Sequence, residues 1–96
     1  MKDTYLSLAI ALLACSMYPQ LALAHCSDAY SYAKKGYNAD NLDEVHYYAK
    51  KAMNEAEACR CDDAYSYARR AYHSDDFDDA VNYMRKAKSA ADGCGT

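Results

Sequence analysis

Apolar residues recur through most of the chain at alternating steps of three and four, the spacing that places side chains on one face of an α-helix. Four stretches carry this pattern, and a short polar loop divides the first from the second and the third from the fourth. No stretch alternates residue by residue as a strand would. The pattern therefore predicts an all-α fold of four helices, arranged as two tandem antiparallel hairpins.

The two predicted hairpins are copies of one another. Residues 26–59 and 61–94 are blocks of 34 residues that align without a gap and are identical at fifteen positions. The first helix of each block, helix A, has its apolar face on Ala29, Tyr30, Ala33, Gly36 and Tyr37, or on Ala64, Tyr65, Ala68, Ala71 and Tyr72. The second, helix B, has its face on Leu42, Val45, Ala49, Ala52, Ala56 and Cys59, or on Phe77, Ala80, Met84, Ala87, Ala91 and Cys94. Such a repeat is usually one supersecondary unit that buries its apolar face against its copy.

Charged and turn-forming residues mark the expected helix ends. Helix A should begin at acidic residues and end after basic pairs, which suit the two ends of the helix dipole. The acidic residues are Asp28, or Asp62 and Asp63, and the basic pairs are Lys34 with Lys35 and Arg69 with Arg70. Helix B should begin after Asn41 or Asp76, which have capping-box spacing to Glu44 and Asp79. Gly93 and Gly95 are expected to stop the last helix.

The first 24 residues resemble an export signal, which leaves residues 25–96 as the helical-repeat domain. Lys2 is followed by an apolar run over residues 4–18, and Ala22 and Ala24 form an A-x-A cleavage site before His25. The run is too short for a permanent membrane span. We therefore expect a protein that is secreted or exported to a bacterial periplasm. Alternatively, the residues before Cys15 resemble a lipobox, and a lipid on Cys15 would make an outer-membrane lipoprotein.

Charge argues against two classes of partner. After cleavage the chain would carry ten Lys or Arg residues against thirteen Asp or Glu residues, a net charge of −3. Neither nucleic acid nor an anionic membrane is expected to bind such a surface. The composition instead predicts a soluble surface.

Four cysteines would remain after cleavage, and an even number in a small exported chain predicts a disulfide framework. In an antiparallel hairpin the start of helix A lies near the end of helix B, so we expect Cys26–Cys59 and Cys61–Cys94. Stitching the repeats together through Cys26–Cys61 and Cys59–Cys94 is the alternative. Helix B is predicted to be longer than helix A by about six residues, so its end must fray or bend back to bring the α-carbons of Cys26 and Cys59 within about 7 Å.

Motifs for catalysis are missing from the sequence. It holds no glycine-rich phosphate loop, no HExxH and no Ser-His-Asp arrangement, and His46 and His73 occupy unrelated positions in their repeats. We therefore expect a protein that is not an enzyme and needs no cofactor. Copper binding is the chemical alternative, through an N-terminal His25 or through the thiols of Cys59 and Cys61.

The repeat resembles the tetratricopeptide repeat, a 34-residue helix-turn-helix unit. With Cys26 and Cys61 as first positions, the small-residue sites of that family fall on Ala33 and Ala68, Val45 and Ala80, and Ala52 and Ala87. The segment Asp-Asp-Phe-Asp-Asp-Ala of the second copy is similar to the turn of the family. Two copies are fewer than the three that such stacks usually need, and disulfides can substitute for the third.

This resemblance implies a function in binding proteins or peptides. Members of the family bind partners on a concave surface made by their A helices, and that surface here would carry Tyr30, Lys34, Tyr37, Tyr65, Arg69 and Tyr72. Tyrosine and arginine suit an interface because each offers apolar area together with a polar group. The alternative for the tyrosines is packing in the core, since the chain has no tryptophan. A structural surface protein whose hairpins pack between chains is a further alternative function.

Overall fold

The computed structural model describes residues 26–94, and these residues form four α-helices with no strand among them. Helix α1 covers residues 26–37 and is helical from the first described residue. Helices α2, α3 and α4 span Leu42–Ala58, Asp62–His73 and Phe77–Cys94. The predicted all-α fold of four helices is confirmed. The predicted export signal, Cys15 and His25 lie outside the described residues.

The core of the described domain is built almost entirely from alanine. Eleven of its fifteen buried hydrophobic residues are alanines, and Val45 and Met84 are the largest side chains that are fully buried apart from Cys61. The buried residues form two clusters. The main cluster fills the middle of the domain and the loop end, and the second cluster lies beside the disulfides. Each cluster takes residues from all four helices, so the helices share one continuous interior.

The four helices follow one another around this interior as a closed ring. Helix α3 packs against both α2 and α4, and the Cys26–Cys59 bridge joins α1 to α2. Contact between α1 and α4 closes the ring at Gly36. A methyl group placed on Gly36 would lie 2.7 Å from the Cε atom of Met84 and 3.2 Å from its Cγ atom. Met84 therefore fills the space that the missing side chain of Gly36 leaves.

The pair of residues equivalent to Gly36 and Met84 fills its positions with side chains of different sizes. The residue equivalent to Gly36 in the second repeat is Ala71, and the residue equivalent to Met84 in the first repeat is Ala49. Both alanines are buried in the main cluster. One junction thus pairs the smallest residue with a large one, and the other pairs two small residues. Because interiors are packed as densely as organic crystals, the two differences between the repeats compensate each other.

The sulfur atoms pair within each repeat, as expected. Cys26 is bonded to Cys59 and Cys61 to Cys94, with α-carbons 5.3 Å and 6.0 Å apart. Helix α2 ends at Ala58, so Cys59 lies in the following turn rather than in the helix. Its position in that turn lets it meet Cys26 even though α2 is the longer helix. The bridges therefore lie together at the end of the domain opposite the two loops.

The turn between the two repeats is a Schellman motif. The N–H of Cys61 donates to the carbonyl of Ala56 and the N–H of Arg60 donates to that of Glu57. This 6→1 and 5→2 pattern requires a left-handed residue between the helices. Arg60 adopts it with φ at 60°, where glycine is usual.

The helix starts confirm the predicted caps, and the last helix corrects one prediction. Asn41 accepts a hydrogen bond from the N–H of Glu44, and Asp76 accepts one from the N–H of Asp79, both at 2.9 Å. The prediction that Gly93 stops the last helix is wrong, because Gly93 lies inside α4. The bridge from Cys94 to Cys61 holds this last turn in place and offsets the modest cost of a helical glycine. Gly95 lies outside the described residues.

Removal of the bridges should unfold the domain. Each bridge closes a loop of 33 residues in sequence separation, which contributes about 3–4 kcal/mol in the chain-entropy model. A domain of this size rarely gains more than about 3–5 kcal/mol from burial alone. We expect the Cys26→Ala, Cys59→Ala, Cys61→Ala, Cys94→Ala variant to lose its helical circular dichroism at 25 °C, and each single-bridge variant to melt at a lower temperature. A bridge-free variant that melts like the oxidised protein would contradict this account.

The contact at Gly36 gives a second prediction, in which one substitution changes sign with its background. Gly36→Ala adds a methyl group against the fully buried Met84, so it should lower the free energy of unfolding by up to about 2 kcal/mol, as overpacking does. In a Met84→Ala background the space is open, and Gly36→Ala should be stabilising by about 0.5–1 kcal/mol through helix propensity. Urea denaturation of the unmodified protein, the two single variants and the double variant measures both changes in the free energy of unfolding. Gly93→Ala is the control, because nothing lies within 4 Å of its added methyl group.

Candidate interaction surface

The six residues predicted to bind a partner occupy two kinds of environment. Tyr30 and Tyr65 are half-buried and pack against the second cluster, beside Ala29 and Ala64. Tyr37 and Tyr72 are more open, with 37% and 36% of their surface exposed. Lys34 and Arg69 are exposed. The structure therefore supports a packing role for Tyr30 and Tyr65, and leaves the other four available to a partner.

These residues border two different seams of the helical ring. The ring of Tyr37 has the Nζ atom of Lys88 on α4 at 5.3 Å from its centroid, so it lies where α1 meets α4. The ring of Tyr72 lies 5.9 Å from the ring of His46 on α2, in edge geometry, so it lies where α3 meets α2. The two seams are equivalent, because α1 and α4 occupy the same places in their repeats as α3 and α2. The binding role of the six residues stays a prediction, with each repeat carrying its own set.

A structural role accounts for His46. Its Nε2 atom lies 2.7 Å from the carbonyl oxygen of Ser74, and this hydrogen bond ties the loop after α3 to α2. The repeat-related residues are Val81 and Ala39, and both are partly buried against the main cluster. The equivalent positions are thus polar at His46 and Ser74 and apolar at Val81 and Ala39. His73 does not share this role, since its ring packs against that of Tyr72 on its own helix.

Charge is strongly segregated along the described domain, a feature that the predictions from sequence missed. Nine of its ten Lys and Arg residues lie in the stretches 29–39, 45–54, 64–74 and 80–91, which contain no Asp or Glu. All thirteen carboxylates lie outside these stretches, near the loops or near the disulfides. We call the nine cations the basic belt: Lys34, Lys35, Lys50, Lys51, Arg69, Arg70, Arg85, Lys86 and Lys88. The signal is present in the sequence, but net charge alone conceals it.

The helix dipole does not explain the belt on α2 and α4. A cation stabilises a helix by about 0.3–1 kcal/mol when it lies in the last turn. Neither α2 nor α4 has a basic residue in its last turn, and their lysines and arginines lie in mid-helix. The last turns instead carry Glu57 and Asp92, whose charge opposes the dipole. The helix dipole therefore does not account for the position of these cations.

Tyrosines accompany the basic belt in a regular pattern. The spacing Tyr-x-x-Lys or Tyr-x-x-Arg occurs on each of the four helices, at repeat-related positions. The first hairpin has Tyr32 with Lys35 and Tyr48 with Lys51, and the second has Tyr67 with Arg70 and Tyr83 with Lys86. The four tyrosines are half-buried, and Tyr32, Tyr67 and Tyr83 pack against the main cluster. We call these two sets of four residues the first and second hairpin faces.

One of the two candidate copper sites, the thiols of Cys59 and Cys61, is not available in the oxidised protein. The sulfur atoms of Cys59 and Cys61 belong to separate disulfides, so they offer no thiolate in the oxidised protein. Within residues 26–94 no three His, Cys, Asp or Glu side chains gather as metal ligands would. His25, the other candidate site, lies outside the described residues.

The polar side chains of the described domain lie at its surface. None of its polar or charged residues is buried, and the carboxylates at helix starts act as caps or first-turn charges. None of the described helices is long and apolar enough to cross a bilayer. No family model, curated protein or solved structure matches this chain. The function is therefore inferred from the surface of the domain alone.

The two environments of the tyrosines can be separated by truncation. Tyr65→Ala should lower the free energy of unfolding by about 2 kcal/mol, because the ring packs against the second cluster. Tyr47→Ala should cost less than about 1 kcal/mol, because 58% of the surface of Tyr47 is exposed. Urea denaturation of the oxidised proteins measures both losses. Equal losses would show that exposure does not distinguish core from surface tyrosines in this domain.

Proposed function

We propose that this chain is a small exported, non-enzymatic helical module that binds a protein or peptide partner. The observation that carries the proposal is the belt of tyrosines and cations around an otherwise acidic domain. Tyrosine and arginine are enriched in the energetically dominant parts of interfaces, because each combines apolar contact area with hydrogen bonding. The belt lies on rigid helices that two disulfides hold in place, so little order has to be gained on binding.

Export is supported by the state of the cysteines. Two disulfides that close both hairpins belong to an oxidising environment, such as a periplasm or the cell exterior. The Ala-x-Ala site before His25 agrees with that location. Lipidation at Cys15 is the alternative form of export, and it would place the same domain on a membrane surface without changing its binding face.

The predicted binding residues then act as two sets rather than one. Tyr37 with Lys34 lies beside α4, and Tyr72 with Arg69 lies beside α2. The tetratricopeptide resemblance implies that A helices bind partners, and the exposed positions of Tyr37 and Tyr72 on α1 and α3 support two such sites. A module with two such places can hold two partner segments, which is the property of a scaffold.

The proposal can be tested with peptides. Panning a random heptapeptide phage library on the oxidised protein should enrich peptides that it binds. Tyr37→Ser together with Tyr72→Ser should weaken those peptides by about tenfold or more, because truncated hot-spot residues cost more than about 1 kcal/mol. Fluorescence anisotropy of the labelled peptides measures the affinity.

Two controls make the result specific. Tyr47→Ser removes an exposed tyrosine outside the predicted sets and should change the affinity less than the double substitution does. Circular dichroism should show the same helicity for all variants. Enrichment no greater than on reduced, unfolded protein, or equal losses from Tyr47→Ser and the double variant, would contradict the proposed function.

A further inference from the structure

The second hairpin face concentrates cations across a helix seam. In the second face, Lys86 Nζ lies 5.9 Å from the ring centroid of Tyr67 and 5.7 Å from that of Tyr83. Arg70 approaches the ring of Tyr83 from α3, with its Cζ atom at 6.0 Å. Two cations from different helices thus meet around one aromatic ring.

The first hairpin face carries the same residue types as the second but makes different cation–ring contacts. Lys35 Nζ lies 5.5 Å from the ring centroid of Tyr32 on its own helix, whereas the equivalent Arg70 lies over a ring of α4. Lys51 instead lies over the ring of the exposed Tyr47, at 5.5 Å. Tyr47 itself packs edge-on against Tyr48, so Lys51 stays at the border of the same face. Both faces therefore present two cations and two tyrosines.

Open grooves adjoin both faces and can receive a ligand. The groove of the second hairpin holds about 430 Å³ and is lined by Tyr67, Arg85 and Lys86, with Asp63 at its edge. The groove of the first hairpin holds about 500 Å³ and is lined by Lys34, Lys35 and Tyr48, with Glu44 at its edge. In each groove the cations outnumber the carboxylates, which favours an anionic ligand.

The length of the belt limits what that ligand can be. On α3 the stretch without carboxylates that lies within the helix runs over residues 64–73, or about 15 Å at the helical rise. An extended peptide covers that distance with about four or five residues. A long polyanion laid along the helix axis would run onto the carboxylates at either end of the domain, which include Asp63 and Asp75. The geometry favours a short acidic segment.

We propose that each hairpin face is a binding site for a short acidic segment of a partner protein, so that one chain holds two such segments. Carboxylates of the segment pair with Arg70 and Lys86 in the second face, or with Lys35 and Lys51 in the first face. The rest of the segment lies on the tyrosine rings. The proposal goes beyond the proposed function, because it names a partner chemistry and places the sites on the hairpin faces rather than at Tyr37 and Tyr72.

A labelled peptide of five glutamates tests the proposal on the oxidised full chain. Fluorescence anisotropy should show saturable binding that weakens as salt is added, since the contacts are ionic. Isothermal titration should give two peptides per chain. A peptide of five glutamines, of the same length and without charge, should bind at least tenfold more weakly.

Matched substitutions then assign the sites. Arg70→Gln with Lys86→Gln should reduce the stoichiometry from two peptides to one, and Lys35→Gln with Lys51→Gln should do the same. All four substitutions together should reduce binding at least tenfold. Arg60→Gln removes a cation outside the basic belt and should leave affinity and stoichiometry within twofold of the unmodified protein.

Three results would overturn the proposal. The first is no binding of the glutamate peptide, and the second is equal weakening by Arg60→Gln and by the paired substitutions. The third is tighter binding of a ten-nucleotide single strand or a heparin fragment than of the glutamate peptide. The proposed function is judged separately, because peptides selected by phage display and weakened by Tyr37→Ser with Tyr72→Ser would stand even if the glutamate peptide fails to bind.

Discussion

The use of alanine as the main core residue is the constraint on which the rest of this domain depends. An alanine methyl group buries little apolar area, so each contact contributes little of the hydrophobic free energy that must offset chain entropy. Small side chains bring helix backbones close together, but they leave a domain of this size marginal. The two disulfides supply the missing stability at one end, and the Gly36–Met84 contact closes the ring of helices on the other side of the core.

The same constraint explains why tyrosines lie on the surface seams. Close helices leave no interior space for large rings, so rings such as Tyr67 and Tyr83 lie half-buried where two helices meet. Their apolar parts cover the alanines, and their hydroxyl groups can reach water. Lysines and arginines then lie over the exposed parts of these rings. The candidate interaction surface is therefore a consequence of how the core is packed.

Duplication gives the domain an approximate two-fold relation in which each feature has a counterpart. The counterparts differ in chemistry but agree in volume or in role. Gly36 with Met84 corresponds to Ala71 with Ala49, and His46 with Ser74 corresponds to Val81 with Ala39. The hairpin faces differ less in residue type, because their tyrosines are identical in both copies and their cations keep the same charge, but their cation–ring contacts differ. Core positions have thus diverged in pairs, while the paired tyrosines and charges have not.

The sequence by itself determined the local features of this protein. Helical periodicity predicted four helices, capping residues such as Asn41 predicted where they begin, and the repeat predicted the pairing of Cys26 with Cys59. These features follow from short-range geometry, in which residues three or four apart share a face. For the same reason the tyrosines and cations of the candidate surface were visible as residue types at fixed spacing.

The tertiary structure decided which of these residues meet. It placed Met84 against Gly36, Tyr37 beside α4 and Tyr72 beside α2, and it continued α4 through Gly93. Such neighbours depend on how helices far apart in the chain are arranged around the core. Helical spacing specifies which face of a helix is apolar, but it does not specify which other helix that face meets, because any helix with a matching apolar face satisfies it.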